Sequence, residues 1–153
     1  MSDLRDLYQE VILDHSKKPR NFGPLDHANH EAKGHNPLCG DRVTVFLDLG
    51  GEGLVKDVHF QGSGCAICMA SASLMTELVK GKTIDDAKKL FGQFHALVTG
   101  EEAPAETVDA DDMDRLEPLT GVREFPMRVK CATLPWHTFI AALDGKRDPV
   151  VTE

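Results

Sequence analysis

The sequence has no apolar run of eighteen residues, no surplus of basic residues and only four cysteines. The first absence excludes a helix able to cross a membrane, which takes about 20 mostly apolar residues. The second speaks against nucleic acid as a partner. Lys and Arg number 17 against 25 Asp and Glu, a formal net charge of −8, and no basic stripe is present to follow a phosphate backbone. The opening Met1-Ser-Asp-Leu-Arg-Asp6 is charged, so no secretory signal and a cytoplasmic location are expected. In a reducing cytosol, neighbouring thiols bind metal or react more often than they form structural disulfides.

What is present is an ordinary globular composition. With 41% hydrophobic and 27% charged residues, the chain can build one core in a single domain over 1–153. Its negative charge is concentrated. Residues 101–117 carry eight acids and one base, Arg115, whereas the rest, with 17 acids and 16 bases, is nearly neutral. The plain reading is a solvated acidic insert at about 99–119; steering of a partner is the sharper one.

The elements are organised around Gly62-Ser-Gly-Cys65-Ala-Ile-Cys68. Residues 54–61 alternate as a strand, and an Ala/Ser/Leu/Met segment with helical spacing follows. The Gly-Ser-Gly between them permits a sharp strand-to-helix turn. Cys65 is thereby expected at a helix start, where free N–H groups and the helix dipole favour a thiolate. Upstream, Leu4, Leu7, Tyr8, Val11 and Ile12 mark an amphipathic helix, capped by Ser2 or Asp3 and limited by Pro19. Residues 20–37, rich in Asn, Gly, Pro and His, read as irregular chain or an edge strand. Cys39-Gly-Asp41 opens a strand in which side chains at i and i+2 share a face, and Gly50-Gly-Glu-Gly53 folds it into a hairpin with 54–61. That hairpin carries Cys39 and Cys65 to one end of the sheet. Downstream, Gly81 is expected to close the helix after Cys65, Thr83 to cap the next helix and Gly100 to end it. Leu116, Leu119 and Val122 suggest a short amphipathic return. In the last helix Pro135, tolerated in a first turn, places the start near residues 131–134 and Cys131 at a second helix N-terminus.

Cys39, Asp41, Cys65 and Cys131 then form the expected constellation. Three thiolates and a carboxylate are a full tetrahedral set for Zn2+, leaving a net charge of about −2 for Arg128, Lys130 and Arg42 to offset. Spacing alone does not separate this from unrelated buried thiols, because the wide gaps match no short zinc motif. The histidines at 15, 27, 30, 35, 59, 95 and 137 fall at no ligand spacing, and His35, nearest to Cys39, reads as a loop residue. Cys65-Ala-Ile-Cys68 also spells a thiol–disulfide oxidoreductase motif, although a thioredoxin-like domain places it after a βαβ start rather than a hairpin.

The segments Leu7-Tyr-Gln-Glu-Val-Ile-Leu-Asp-His15, Pro19-Arg-Asn21, Asn36-Pro-Leu-Cys-Gly-Asp41, Gly64-Cys65 with Ala70-Ser-Ala-Ser73, and Arg128-Val-Lys-Cys-Ala-Thr-Leu134 resemble the U-type iron–sulfur cluster assembly proteins of the IscU/NifU N-terminal kind. The chain is more similar to the SufU branch than to the IscU branch. Lys130 stands where the scaffold branch carries a histidine, an insert is present at 99–119, and Glu124-Phe-Pro-Met-Arg-Val-Lys130 is not the chaperone-read Leu-Pro-Pro-Val-Lys. The resemblance implies an α+β fold of the SufE/NifU (IscU-like) type, a small antiparallel β-sheet of about three strands packed by helices on one face. It implies Zn2+ held by Cys39, Asp41, Cys65 and Cys131, persulfide sulfur accepted from a SufS-like cysteine desulfurase, and delivery to a downstream iron–sulfur scaffold. It also implies that docking of the desulfurase displaces Cys39 from zinc, freeing that thiolate to take the sulfur. The proline turn before Cys39 and Gly40 after it independently make it the most mobile ligand. Arg128 is assigned to the reaction centre with it. If catalytic, such a protein is a zinc-dependent sulfurtransferase. Cys68, where SufU-like proteins usually carry another residue, is an auxiliary thiol that could replace Asp41 or pair with Cys65. A scaffold assembling an iron–sulfur cluster on the same cysteines is the alternative, and a zinc module without chemistry the blandest reading.

Overall fold

The computed structural model describes residues 4–104, 108–146 and 148–152, with side chains from Tyr8 onward. Helix α1 (Leu4–Lys17) stops just before Lys18-Pro19. Its expected caps Ser2 and Asp3, and the side chains of Leu4 and Leu7, lie outside the described residues. Strands β1 (His30–Asn36), β2 (Asp41–Leu49) and β3 (Val55–Ser63) follow. On β2, Val43, Val45 and Leu47 are buried and pair across the antiparallel hairpin with Gly62, Phe60 and Val58. Strand β1 pairs antiparallel on the other side of β2, and β4 (Val150–Val151) joins β1 in parallel, giving the order β3-β2-β1-β4.

The sheet therefore has four strands and is mixed, where three antiparallel ones were expected. Two residues are too few to show an alternation of period two, and the pairing of β4 depends on where α5 returns the chain. Strand β1 falls in the stretch read as irregular chain or an edge strand, and a different reason left that choice open. Its only apolar side chain is Ala32, yet Gly34 and Asn36 on the same face are buried too. A methyl group at Gly34 would collide with the Thr138 side chain, so α5 lies almost directly on the β1 backbone.

Helices α2 (Ala66–Val79), α3 (Ile84–Thr99), α4 (Ala110–Leu116) and α5 (Pro126–Leu143) complete the fold, with a 3-10 helix at Glu117–Glu124. Val45, Leu47 and Phe60 pack against Leu74, Met75, Phe94, Trp136 and Phe139, none more than 1% exposed. Each such side chain contributes about 1.5–3 kcal/mol through burial. Among the described residues no helix is long and apolar enough to cross a membrane. Thr83 caps α3 by accepting from the Asp86 N–H at 3.1 Å, and Gly100 ends it in the left-handed conformation, both as expected. The C-cap of α2 is Lys80 rather than Gly81.

The Ala70-Ser-Ala-Ser73 segment makes α2 the central helix. Positions 71 and 73 lie about 200° apart on a helix, so the two hydroxyls face different neighbours. Ser71 donates to the Ala132 carbonyl at 2.5 Å and accepts from Trp136 Nε1 at 3.1 Å, both on α5. Ser73 is bonded to His15 Nδ1 on α1 at 2.7 Å and accepts from the Arg20 N–H at 2.9 Å.

The start of α5 corrects the sequence reading. Pro126, not Pro135, occupies the first turn, so Pro135 is the tenth residue of the helix and Cys131 the sixth. Cys131 is thus not at a helix N-terminus. Pro135 supplies no N–H to the Cys131 carbonyl four residues back, a loss of the kind that disfavours interior proline. Burial of Leu134, Pro135, Trp136 and Phe139 overrides it.

Part of the acidic segment is packed rather than solvated. Leu116, Leu119 and Val122 are buried, Asp112 pairs with Lys82 at 2.7 Å, and Arg115 pairs with Glu77 at 2.7 Å.

Candidate metal centre

Four stretches meet at the end of the sheet: the turn at residues 37–40, the first residue of β2, the start of α2 and the second turn of α5. Cys39 lies in the turn, before the strand begins. Strand alternation therefore does not bring it to Asp41; the left-handed Gly40, at φ 73°, reverses the chain instead. The ligand atoms of Cys39, Asp41 and Cys131 all lie within 4.8 Å of one another.

Asp41 is fully buried. Its Oδ1 accepts the Cys65 N–H at 2.9 Å, while its Oδ2 is buried without a hydrogen-bond partner. A Cβ at residue 64 would stand 2.7 Å from Asp41 Oδ1, so only glycine lets the β3–α2 turn close over the carboxylate.

Cys65 is the N-cap of α2, as its position after the glycine turn predicts. Its thiol pKa is lowered to about 6, first by a hydrogen bond from Cys131 and then by the Cys68 and Ile67 N–H groups, against burial and the Asp41 charge. Cys131 moves the opposite way, because it gives its proton to the bond with Cys65 and is buried. The pair is one thiolate, on Cys65, and one thiol. Cys65 thus touches both Cys131 and Asp41, although it stands outside the compact triad.

Arg128 is exposed at the rim. The charges of Cys65 and then Cys131, with hydrogen bonds to both sulfurs, hold its guanidinium still more firmly protonated. Lys130 is half-buried and has no ion pair among the described residues. Cys68 is fully buried against Val43, Cys131 and Leu134. Burial first, then the Asp41 charge, pushes its thiol well above the usual range. It backs the centre without joining the triad. His35 lies on β1 opposite Arg42, on a strand rather than in a loop, and is not among the clustered groups.

Two residues of the centre carry no sequence signal of their own. Asn36, 1% exposed, directs its amide to Cys131 Sγ at 3.7 Å across 95 residues of chain. The Met127 carbonyl lies 3.5 Å from the same sulfur, one helical turn earlier. The first contact exists only once α5 is docked on the sheet, whereas the second lies within α5 itself.

A buried carboxylate oxygen without a partner costs about 1–3 kcal/mol, more when charged. A cation beside Asp41 Oδ2 removes that cost, and three sulfurs with one oxygen are the donors a zinc-class ion takes. The residues present fit a metal ion.

The NifU-like N-terminal domain family matches this chain over residues 7–132. The chain belongs to that family. Among its relatives, the zinc-dependent sulfurtransferase SufU of Bacillus subtilis is 43% identical over 135 residues, 88% of either chain. The iron–sulfur cluster assembly scaffold protein IscU of Streptococcus pyogenes is 38% identical over 143 residues, 94% of this chain and 86% of that one. A crystal structure from Fervidobacterium islandicum, of a candidate iron–sulfur assembly scaffold for the SUF system, superposes with a TM-score of 0.80 at 34% identity, covering 92% of this chain and 99% of the other. The expected family and its α+β fold are upheld. This NifU-type chain stands near relatives named for sulfur transfer and near relatives named as scaffolds, so the chemistry of the site has to separate the two branches.

Proposed function

We propose that this chain is a cytoplasmic, zinc-bound sulfur acceptor of iron–sulfur cluster assembly, taking persulfide sulfur from a SufS-like cysteine desulfurase and passing it to a downstream scaffold. The observation that carries this reading is the donor set: the thiols of Cys39, Cys65 and Cys131 around a buried Asp41 whose Oδ2 lacks a partner. Cys39, Asp41, Cys65 and Cys131 would hold the ion. Zinc bound there keeps the thiolates deprotonated and guarded until a sulfur donor arrives.

Cys39 is the acceptor in this proposal. Cys65 is tied through its N–H to Asp41, and Cys131 is fully buried in the body of α5. Cys39 is half-exposed in a turn, between Leu38, 57% exposed, and the left-handed Gly40. Its thiolate attacks the outer sulfur of the donor's persulfide. The donor S–S bond breaks, the donor cysteine leaves as a thiolate, and Cys39 carries the new persulfide. Arg128, at the rim, meets the incoming anionic sulfur and offsets the charge of Cys65. Each turn moves one sulfur, which would make the chain a sulfurtransferase.

A scaffold that builds a cluster on the same thiols is the second reading, supported by the S. pyogenes relative. The oxidoreductase reading is weakened by Cys68, which is buried with its thiol held protonated and cannot readily be attacked or released. Metal analysis and an absorbance scan of the purified protein test the choice. Sulfur transfer expects one zinc and no colour; iron, sulfide and visible absorbance would assign the scaffold role. Mass spectrometry after incubation with a desulfurase and cysteine should find the added sulfur on Cys39. Sulfur on Cys65 instead, with Cys39→Ser still accepting it, would overturn the mechanism.

A further inference from the structure

Away from the thiolate centre, the fold gathers a second set of metal-ligating side chains. Helix α3 brings His95 and α5 brings His137 to the same side of the contact between them, with ring centres 6.0 Å apart. Gly100, left-handed at φ 76°, turns the chain back so that Glu101 follows at once, its Oε2 3.9 Å from His95 Nδ1. Gln93 Nε2 donates to the Pro104 carbonyl at 2.9 Å and fastens this return against α3. The three groups line a shallow recess of about 290 Å³, with Glu102 on its rim. Phe91 stands edge-on to both imidazoles, at 5.9 and 5.1 Å, and sets their orientation.

The three groups share the recess, but their ligand atoms do not all lie within 4.8 Å of one another as those of the first centre do, so coordination requires the side chains to turn. Two imidazoles on one tetrahedral zinc, with Zn–N of about 2.0–2.1 Å, have ring centres roughly 5 Å apart. The observed 6.0 Å separation is wider by about an ångström, and both half-exposed imidazoles have to rotate to direct a nitrogen at one ion. His95 Nδ1 and Glu101 Oε2, 3.9 Å apart, are close to the roughly 3.3 Å spacing of two ligands on one tetrahedral ion. Burial and the neighbouring His95 disfavour a proton on His137, so a neutral imidazole is available to a metal.

We propose that His95, His137 and Glu101 form a second, solvent-facing divalent-metal site, separate from the thiolate centre, that binds a labile Zn2+-class ion. The set is two nitrogens and one oxygen with an open position, the composition of an exchangeable rather than a sealed site. It shares no ligand with the first centre: His137 is six residues beyond Cys131, about 9 Å along α5. The histidines come from elements 42 residues apart in sequence, which is why no spacing announces them.

The test is a calorimetric Zn2+ titration of untagged full-length protein whose thiolate centre is already filled with zinc. The expected result is one further equivalent, weaker than the first and removed by mild chelation. His95→Gln should weaken it at least tenfold, Glu101→Gln by less, and His27→Gln not at all. Because the thiolate centre is filled beforehand, the further equivalent reports this site alone and is separate from the proposed sulfur chemistry. His137 is half-buried and packed on Phe91, so its substitution can disturb folding; the more accessible His95 carries the decision. NMR of the same titration should move the imidazole signals of His95 and His137 before those of other histidines. No additional equivalent, or one that binds equally in His95→Gln, overturns the proposal.

Discussion

At Cys65 and Cys131, two identical side chains are held in opposite states by their surroundings. Cys65 stands at a helix start and receives hydrogen bonds, whereas Cys131 is enclosed and gives its proton away. Cys68, one turn beyond Cys65, receives no such support and stays a thiol. These differences lead to a residue-scale prediction. Cys68→Ala should still bind one zinc and accept sulfur at the wild-type level, losing about 1–2 kcal/mol at most from a small cavity. Cys131→Ser and Asp41→Ala should each lose the metal, as read by elemental analysis of the folded protein. If Cys68→Ala strips the metal while Asp41→Ala retains it, the centre is a four-cysteine one and Asp41 is not a ligand.

Among the elements, α2 is held from two sides, by Ser71 to α5 and by Ser73 to His15 and Arg20. His15 is buried at 7% exposure, and burial, then the Arg20 charge, lowers its pKa. Because the folded pKa lies below the free imidazole value of about 6.5, the unfolded chain takes up a proton first as pH falls. The contribution of His15 is therefore fully present above about pH 6.5 and is lost as pH drops toward the folded pKa. His137, also lowered by burial, acts with the same sign. Melting temperatures between pH 7.5 and 5.5, with zinc content checked at each point, should fall less steeply for His15→Gln than for wild type. An identical slope would remove His15 from the account. A second element-scale prediction concerns α5 on β1. Gly34→Ala places a methyl group against Thr138 and should cost about 1–3 kcal/mol. In a chain of this length that lowers Tm by roughly 2–4 °C per kcal/mol. Gly34→Ala with Thr138→Ala, which removes the clashing hydroxyl, should recover only in part, since Leu134 also stands 3.0 Å from the added carbon.

For the whole molecule, the proposed ligands come from the β1–β2 turn, the start of β2, the β3–α2 junction and α5. A metal at that meeting point ties the sheet to the C-terminal helix, and its binding free energy becomes folding free energy. Verified zinc removal should lower the melting temperature clearly; no change would detach the metal from the fold. The acidic segment divides in two. Asp112 is paired and Asp109 caps α4 by accepting the Asp111 N–H at 2.8 Å, so neither can be neutralised without a structural cost. Glu102, Asp111 and Asp114 are exposed. Neutralising those three should leave Tm near wild type while weakening the salt dependence of partner association. Unchanged salt dependence would make the segment plain surface.

The sequence by itself was enough for the features that depend on neighbouring residues. The β2–β3 hairpin, the helix start at Cys65, the Thr83 cap and the Gly100 stop are written in turn chemistry and hydrophobic period, which act over a few residues. Short segments spread along the chain were also enough to indicate the family. Only the tertiary structure decided what depends on distant contacts. Pro135 sits inside α5 because a buried face outweighs its missing hydrogen bond, a balance that local propensity cannot display. Strand β1 and the two-residue β4 exist because α5 covers one and returns the chain to pair with the other. Asn36 reaches Cys131, and His95 reaches His137, only through the packing of elements whose residues are far apart in sequence. Local bonding is legible in order along the chain; convergence is set by which faces the core brings together.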